Sequence, residues 1–382
     1  MLALAVAAGL CLSGAKAQGK AECAAQQSPM GYKQAYKEAF TVGVAVNIRN
    51  VTDPMQQALI CRNFNSVTAE NAMKPASVQP REGVFSWEDA DRIADFCRRN
   101  GIRMRGHCLC WHNQFTDWMF TDSLGKAVTK EVFYARLRRH IHAVVERYRD
   151  VVYAWDVVNE AITDHAPGWN ADKGCTPDIY RPSRLYQLCG DEFIAKAFEF
   201  AREADPKALL FYNDYNAALP DKRDRIICMV QKMKAGGVPI DGIGMQGHYS
   251  IYGPRMEDVD SAITKYARVV EHVHITELDM RITNDMGGQL RFEQGRQDSV
   301  PEASRALQEE RYATLFGILR KHREVVGNVT FWNLSDRDSW LGVRNHALPF
   351  DENYKEKQVY WTIMGLPQRS PAPLRKGERQ GE

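Results

Sequence analysis

Beyond its N-terminus this sequence has no apolar run approaching the roughly 20 residues that a membrane span needs, which argues against an integral membrane protein. Its formal net charge is only +2, too weak a field to point to nucleic acid or a membrane surface as partner. It has neither a P-loop nor a G-x-G-x-x-G run, so no phosphate cradle is evident. CxxC is absent and the cysteines show no zinc spacing. No segment reads as an EF-hand loop. The histidines do not supply a metal site either. His107 and His112 flank Trp111, and His272 and His274 alternate, but no pair has a carboxylate third ligand at tight spacing. No cofactor and no metal are expected.

What is present is ordinary globular composition, 44% hydrophobic and 26% charged. A chain of 382 residues allows one large barrel or two average domains. Residues 1–17 form an apolar run ending in Ala15-Lys16-Ala17, an A-x-A pattern that predicts an export signal, although the usual positive n-region is missing. A linker over 18–30 would follow. Export predicts a secreted or periplasmic protein. Of nine cysteines, Cys11 lies within the signal and eight remain. Their irregular spacing in so large a chain is no disulfide scaffold. Cys108 and Cys110 read as small buried hydrophobes in a strand. Cys175 and Cys189, in one loop region, are the expected bridge.

Short segments rich in β-branched and aromatic residues recur at 40–47, 64–71, 103–111, 152–160, 209–216, 242–249, 273–280 and 329–336. They suit strands buried on both faces. Between them lie charged, amphipathic segments of helical period, including 87–100, 130–150, 191–206, 221–237 and 302–327. Pro206 and Gly236-Gly237 fall where helices should stop. Eight alternations without a Pro/Ser/Gly-rich linker predict an α/β chain folded as a single (β/α)8 barrel over 31–366. The Pro-rich, charged segment 367–382 reads as a disordered tail. Connections at 163–190 and 281–303 are far longer than usual, and long βα loops build the active face of such barrels.

Polar residues collect toward the C-terminal ends of these strands: Asn47, Glu70-Asn71, His107, Asn159-Glu160, Asn213-Asp214, Gln246 with His248, Glu277 with Asp279, and Trp332. Singly, most read as satisfied structural groups. Random placement would not put them all at one end, where a barrel opens its cleft. The run "DVVNEAI" at 156–162 sets Glu160 at a strand end, and "HITELDM" does the same for Glu277. Two carboxylates, one neutral and one ionised, are what hydrolysis of a sugar acetal requires. Asp279, on the same face as Glu277, could hold His248 and through it orient Glu277; a salt bridge to Arg281 or Arg255 is the alternative. Trp111, Trp118, Trp332, Trp340, Tyr215 and Tyr249 near the strand ends favour a sugar, whose C–H faces pack on aromatic planes. Trp155 and Trp361 read instead as core residues.

With these residues in place, the chain resembles the family 10 glycoside hydrolases, mainly retaining endo-β-1,4-xylanases, from about residue 40 to 365. The resemblance is carried by "TAENAMKP", "RGHCLCWHNQ", "WDVVNEAI", "LFYNDYN", "GMQGHY", "ITELDMRI" and "FWNLSDRDSWL", seven motifs in the family's order. It implies Glu160 as general acid/base and Glu277 as nucleophile, with Asn159 on the 2-hydroxyl of the attacked sugar. It further implies that His248 and Asp279 position the nucleophile and that Gln246 lies near the acid/base. Glu70, Asn71, Lys74, His107, Trp111, Gln114, Trp332 and Trp340 resemble glycone-side subsites, and Tyr215 the leaving-group side.

Three departures stand out: Thr116 where proline is frequent, Asn333-Leu334-Ser335 where Gly-Val-Thr is common, and a longer 165–181 segment that would reshape the leaving-group side. The expected partner is xylan or a xylo-oligosaccharide, taken by a monomer with no nucleic acid. A glucan-cleaving relative and a non-catalytic carbohydrate-binding barrel are the rivals. Presence of both glutamates, Asn159 and the His248/Asp279 pair argues against the second.

Overall fold

A computed structural model describes residues 30–283 and 301–366. The export signal expected at 1–17, the linker up to residue 29 and the tail at 367–382 lie outside them, and the connection at 281–303 is described only at its ends.

Nine parallel strands build a closed barrel: β1 (Thr41–Val46), β2 (Ser66–Ala69), β3 (Arg103–Trp111), β4 (Val152–Asn159), β5 (Leu209–Asp214), β6 (Gly242–Met245), β7 (His248–Ser250), β8 (His272–Arg281) and β9 (Val326–Phe331). Neighbours run in order from β6 back to β1, then to β9, β8 and β7, and a β6–β8 pairing closes the ring. The barrel therefore has the eight staves expected, one of them interrupted. The segment 242–249 breaks into β6 and β7, both paired to β8. Gly247 makes the break: its φ is +85°, and a Cβ there would meet Ile275 Cγ2 at 2.9 Å. The last strand also differs from expectation. The helix read over 302–327 stops at Lys321, the strand occupies Val326–Phe331, and Trp332 to Asp336 belong to the following loop.

Helices cover the barrel outside because their apolar residues recur on one face. Lys130–Tyr148 buries Phe133, Leu137, Ile141, Val144, Val145 and Tyr148, spaced three or four apart, and Thr129 caps it through Val132 N. Helices at Glu88–Asn100, Glu192–Ala204, Pro220–Ala235 and Glu302–Lys321 fall within the expected segments. Pro54–Asn63 and Met256–Tyr266 supply two more. The barrel interior is more polar than β-branched strands suggest: Ser66, Thr68, Arg105, Asp156, His274, Asn328 and Thr330 are all buried.

Two expectations are overturned. Cys175 bonds Cys228, on the helix Pro220–Ala235, rather than Cys189. Cys189 ends the helix Arg184–Cys189, where it is buried as a free thiol. Trp361 is 51% exposed on the C-terminal helix Gln358–Gly365, whereas Trp155 is core as expected. Among the described residues, no helix is long and apolar enough to cross a membrane.

Candidate active site

Three staves change register near the mouth of the barrel. Shifts occur in β3 between His107 and Cys110, in β4 between Asp156 and Val158, and in β8 between Ile275 and Leu278. Such bulges re-aim side chains that strict alternation would send elsewhere. Glu277 lies inside the β8 bulge, and Asn159 and Glu160 directly follow the one in β4.

The structure brings Glu160 and Glu277 into one hydrogen-bonded network. Asn213 is its hub. Its Oδ1 accepts from the Thr276 hydroxyl (2.6 Å), which turns Nδ2 toward Asn159 Oδ1 (2.9 Å) and Glu277 Oε1 (2.8 Å). A Cβ on Gly244 would sit 2.3 Å from Asn213 Oδ1, so only glycine leaves room for this amide. Gln246 Nε2 donates to Glu160 Oε1 (2.9 Å) and reaches Asn159 Oδ1 (3.2 Å). Asn159 Nδ2 donates to Glu160 Oε1 (3.3 Å). Turning the Asn159 amide over would set it nitrogen to nitrogen against Asn213 and Gln246, so the network itself assigns this orientation. Trp111 Nε1 donates to Glu160 Oε2 (2.9 Å).

Glu160 is held in an unusual backbone conformation, φ 59°, a left-handed region that a glutamate rarely occupies. Its amide donates to Asn213 O (2.9 Å), and its carbonyl accepts from Arg181 Nε (2.9 Å). Both ends of the strained residue are therefore fixed.

Around Glu277 the electrostatics are different. His248 lies between two carboxylates, with Nδ1 2.8 Å from Asp279 Oδ2 and Nε2 3.1 Å from Glu277 Oε2. Burial pushes the imidazole down, yet the charge and hydrogen bond of Asp279, joined by Glu277, raise it to about 10. Burial alone would raise the Glu277 carboxyl. The His248 hydrogen bond, the charges of His107 and His248 and the Asn213 amide prevail and hold it at about 2. Asp279 bonds His248 and Trp340 Nε1 (2.9 Å), which is the histidine reading of that residue rather than the arginine one. His107 is buried against Asp156 (Nδ1 to Oδ2, 2.9 Å), and Asp156 also accepts from Arg105.

The other expected residues, apart from Gln114, are tied to this network or to its neighbours by contacts of their own. Trp332 packs edge-on to His107 at 5.2 Å between centroids, and Trp340, half exposed, to His248 at 5.0 Å. Lys74 donates to Asn71 Oδ1 (2.9 Å) and lies 5.0 Å over the Trp111 ring. Burial raises the Glu70 carboxyl, while Lys74 and Asn333 counter it. Gln114 is exposed at φ 49°. On the opposite side the Tyr215 hydroxyl donates to Asp164 and accepts from Arg181 Nη2 (2.7 Å). Lys222 ties Asp164 (2.9 Å) to the buried Asp214 (2.8 Å) and sits 3.6 Å over the Tyr215 ring.

Some sequence readings do not reach the cleft. Asn47 caps a turn, accepting from the amides of Arg49 and Asn50. Tyr249 is buried in the core, and Trp118 bonds Gln79 O. Conversely, Asn213 was visible only as one polar strand-end among many, although period two places it inward with Phe211. Asp156 has its side chain turned inward, against His107 and Arg105. Arg181 lies in the least regular loop, and no sequence signal marks it.

The sequence profile of glycosyl hydrolase family 10 matches residues 31–366. An endo-1,4-beta-xylanase/feruloyl esterase from Xylanibacter ruminicola is 61% identical over 330 residues, which are 86% of this chain and 46% of that protein. Endo-1,4-beta-xylanase B of Paenibacillus barcinonensis is 41% identical over 338 residues, 86% of this chain and 96% of that one. Among solved structures, a psychrophilic glycoside hydrolase family 10 endo-beta-1,4-xylanase superposes with a TM-score of 0.81 at 57% identity, covering 88% of this chain and 99% of that chain. Thus the chain spans less than half of the first relative and nearly all of the second.

Proposed function

We propose that this chain, which belongs to glycosyl hydrolase family 10, is a retaining endo-1,4-β-xylanase. The observation that carries the reading is the asymmetry of two carboxylates in one network. Glu277 is held ionised by a charged histidine. The Glu160 carboxyl accepts its hydrogen bonds from neutral groups, Trp111, Gln246 and Asn159. An ionised carboxylate is the nucleophile that double displacement requires. Glu160 gives its proton to the glycosidic oxygen while a Glu277 oxygen bonds to the anomeric carbon and the C–O bond breaks. Glu160, now ionised, takes a proton from water, the water oxygen attacks that carbon, and the bond to Glu277 breaks, restoring the β-configuration. Asn159 offers its amide to the 2-hydroxyl of the attacked sugar, an interaction that strengthens in the transition state. Xylosyl units lie between Glu70, Lys74, Trp332 and Trp340 on the glycone side and Tyr215 on the other. The polymer is too large to enter a cell, which suits the export read at residues 1–17.

The test is direct. Purified protein is incubated separately with xylan and carboxymethyl cellulose, and product anomers are followed by NMR. Xylo-oligosaccharides should appear first as β-anomers, and Glu277→Ala should lose turnover while still folding, with a single cooperative melting transition. α-Anomers, faster attack on the cellulose derivative, or xylan hydrolysis by Glu277→Ala would overturn the reading.

A further inference from the structure

We propose that Asn333 is a positioning residue for the glycone side of the cleft: its side-chain amide holds Trp340 in place. The inference rests on the glycanase reading above and concerns how that site grips the sugars beyond the bond cleaved.

Asn333 directly follows Trp332 and is only 1% exposed, although its side chain is polar. Its φ of 94° lies where glycine sits most easily and a side chain is strained. A buried amide in a strained backbone is costly unless it is used. Its Oδ1 accepts from the Trp340 backbone amide at 3.2 Å. Trp340 is tied at a second point, where its indole Nε1 donates to Asp279 Oδ2, so the half-exposed ring spans the space between those two anchors. Asp279 in turn bonds His248, which bonds Glu277. The glycone wall and the nucleophile thus share one chain of contacts, and Asn333 is its outer end.

Two variants separate this role from a merely structural one. Asn333→Gly suits the backbone and removes the acceptor for Trp340. Asn333→Asp keeps an acceptor there. Wild type is assayed first on xylan, and inactivity there would refute the glycanase reading rather than this one. The ratio of kcat/KM for xylotetraose to that for an aryl β-xyloside, which places one sugar on the glycone side, is then compared. Asn333→Gly should lower this ratio about fivefold, mainly through KM on xylotetraose, as expected for loss of ground-state binding. Asn333→Asp, which restores the acceptor, should keep the ratio within about twofold of wild type. A ratio within about twofold of wild type in Asn333→Gly, an equal loss on both substrates, or a ratio lowered as far in Asn333→Asp as in Asn333→Gly overturns the proposal.

Discussion

Glu277 and His248 are each moved far from their ordinary ionisation, in opposite directions and against burial: Asp279, joined by Glu277, raises the histidine, and His248 with His107 lowers the glutamate. The fold favours the charged histidine, whose folded value is about 10 against 6.5 for the free group. Its stabilisation is complete below pH 6.5 and is lost as pH rises through about 10. Glu277 runs the other way, at about 2 against 4.5, so its contribution is complete above pH 4.5 and lost as pH falls through about 2. Both are in force together between pH 4.5 and 6.5. Removing the histidine leaves Glu277 and Asp279 buried and uncompensated, a loss of about 3–5 kcal/mol for a broken buried pair. The melting temperature of His248→Gln should therefore fall furthest below wild type in that window, and the gap should narrow toward pH 10. A gap that is the same at every pH would assign the effect to packing and not to charge.

Elements position these residues through irregularities, not through regular geometry. The bulges in β3, β4 and β8 break alternation where the chemistry lies, so a period-two reading reaches the strand ends but not the directions of the side chains. That is why Glu160, Glu277, His248 and Asp279 were legible from position and residue type, whereas Asn213 as hub and Asp156 as the support of His107 were not. The loop after β4 is a further step removed from pattern. It is pinned by the Ile162–Tyr180 bridge and by Arg181, whose guanidinium reaches both the Glu160 carbonyl and the Tyr215 hydroxyl. Two divergent bonds of that kind need a planar fork, which lysine lacks. Arg181→Lys should reduce kcat/KM on xylan by about tenfold or more, the scale of one hydrogen bond to a charged group in a partly buried site. Loss on substrates with a good leaving group should be smaller, since they need less help from the proton donor. Wild-type kinetics in Arg181→Lys would show that the strained Glu160 backbone is held by its strand alone.

At the scale of the whole molecule, the barrel was legible because eight buried staves and their amphipathic partners repeat, and repetition survives local error. Gly247 breaks one stave and the last strand slips by a few residues, yet the ring still closes through β6 and β8. Long-range pairings have no such repetition to reveal them. The cysteine partner of the long loop was sought nearby in sequence, at Cys189, but it lies 53 residues away on the helix Pro220–Ala235. That same helix carries Lys222, which binds Asp164 and Asp214 and covers the Tyr215 ring. The disulfide thus clamps the loop after β4 to the helix whose Lys222 lies over Tyr215, the residue proposed for the leaving-group side. Closing a loop of this length removes about 4 kcal/mol of chain entropy from the unfolded state in the simplest treatment. Cys175→Ser should lower the melting temperature. It should also raise KM for long xylo-oligosaccharides more than for aryl xylobiosides, because the former need an ordered leaving-group side. A reducing agent should reproduce both effects in wild type and neither in the variant. If the melting temperature falls while the two KM values move together, the clamp stabilises the fold without shaping the cleft.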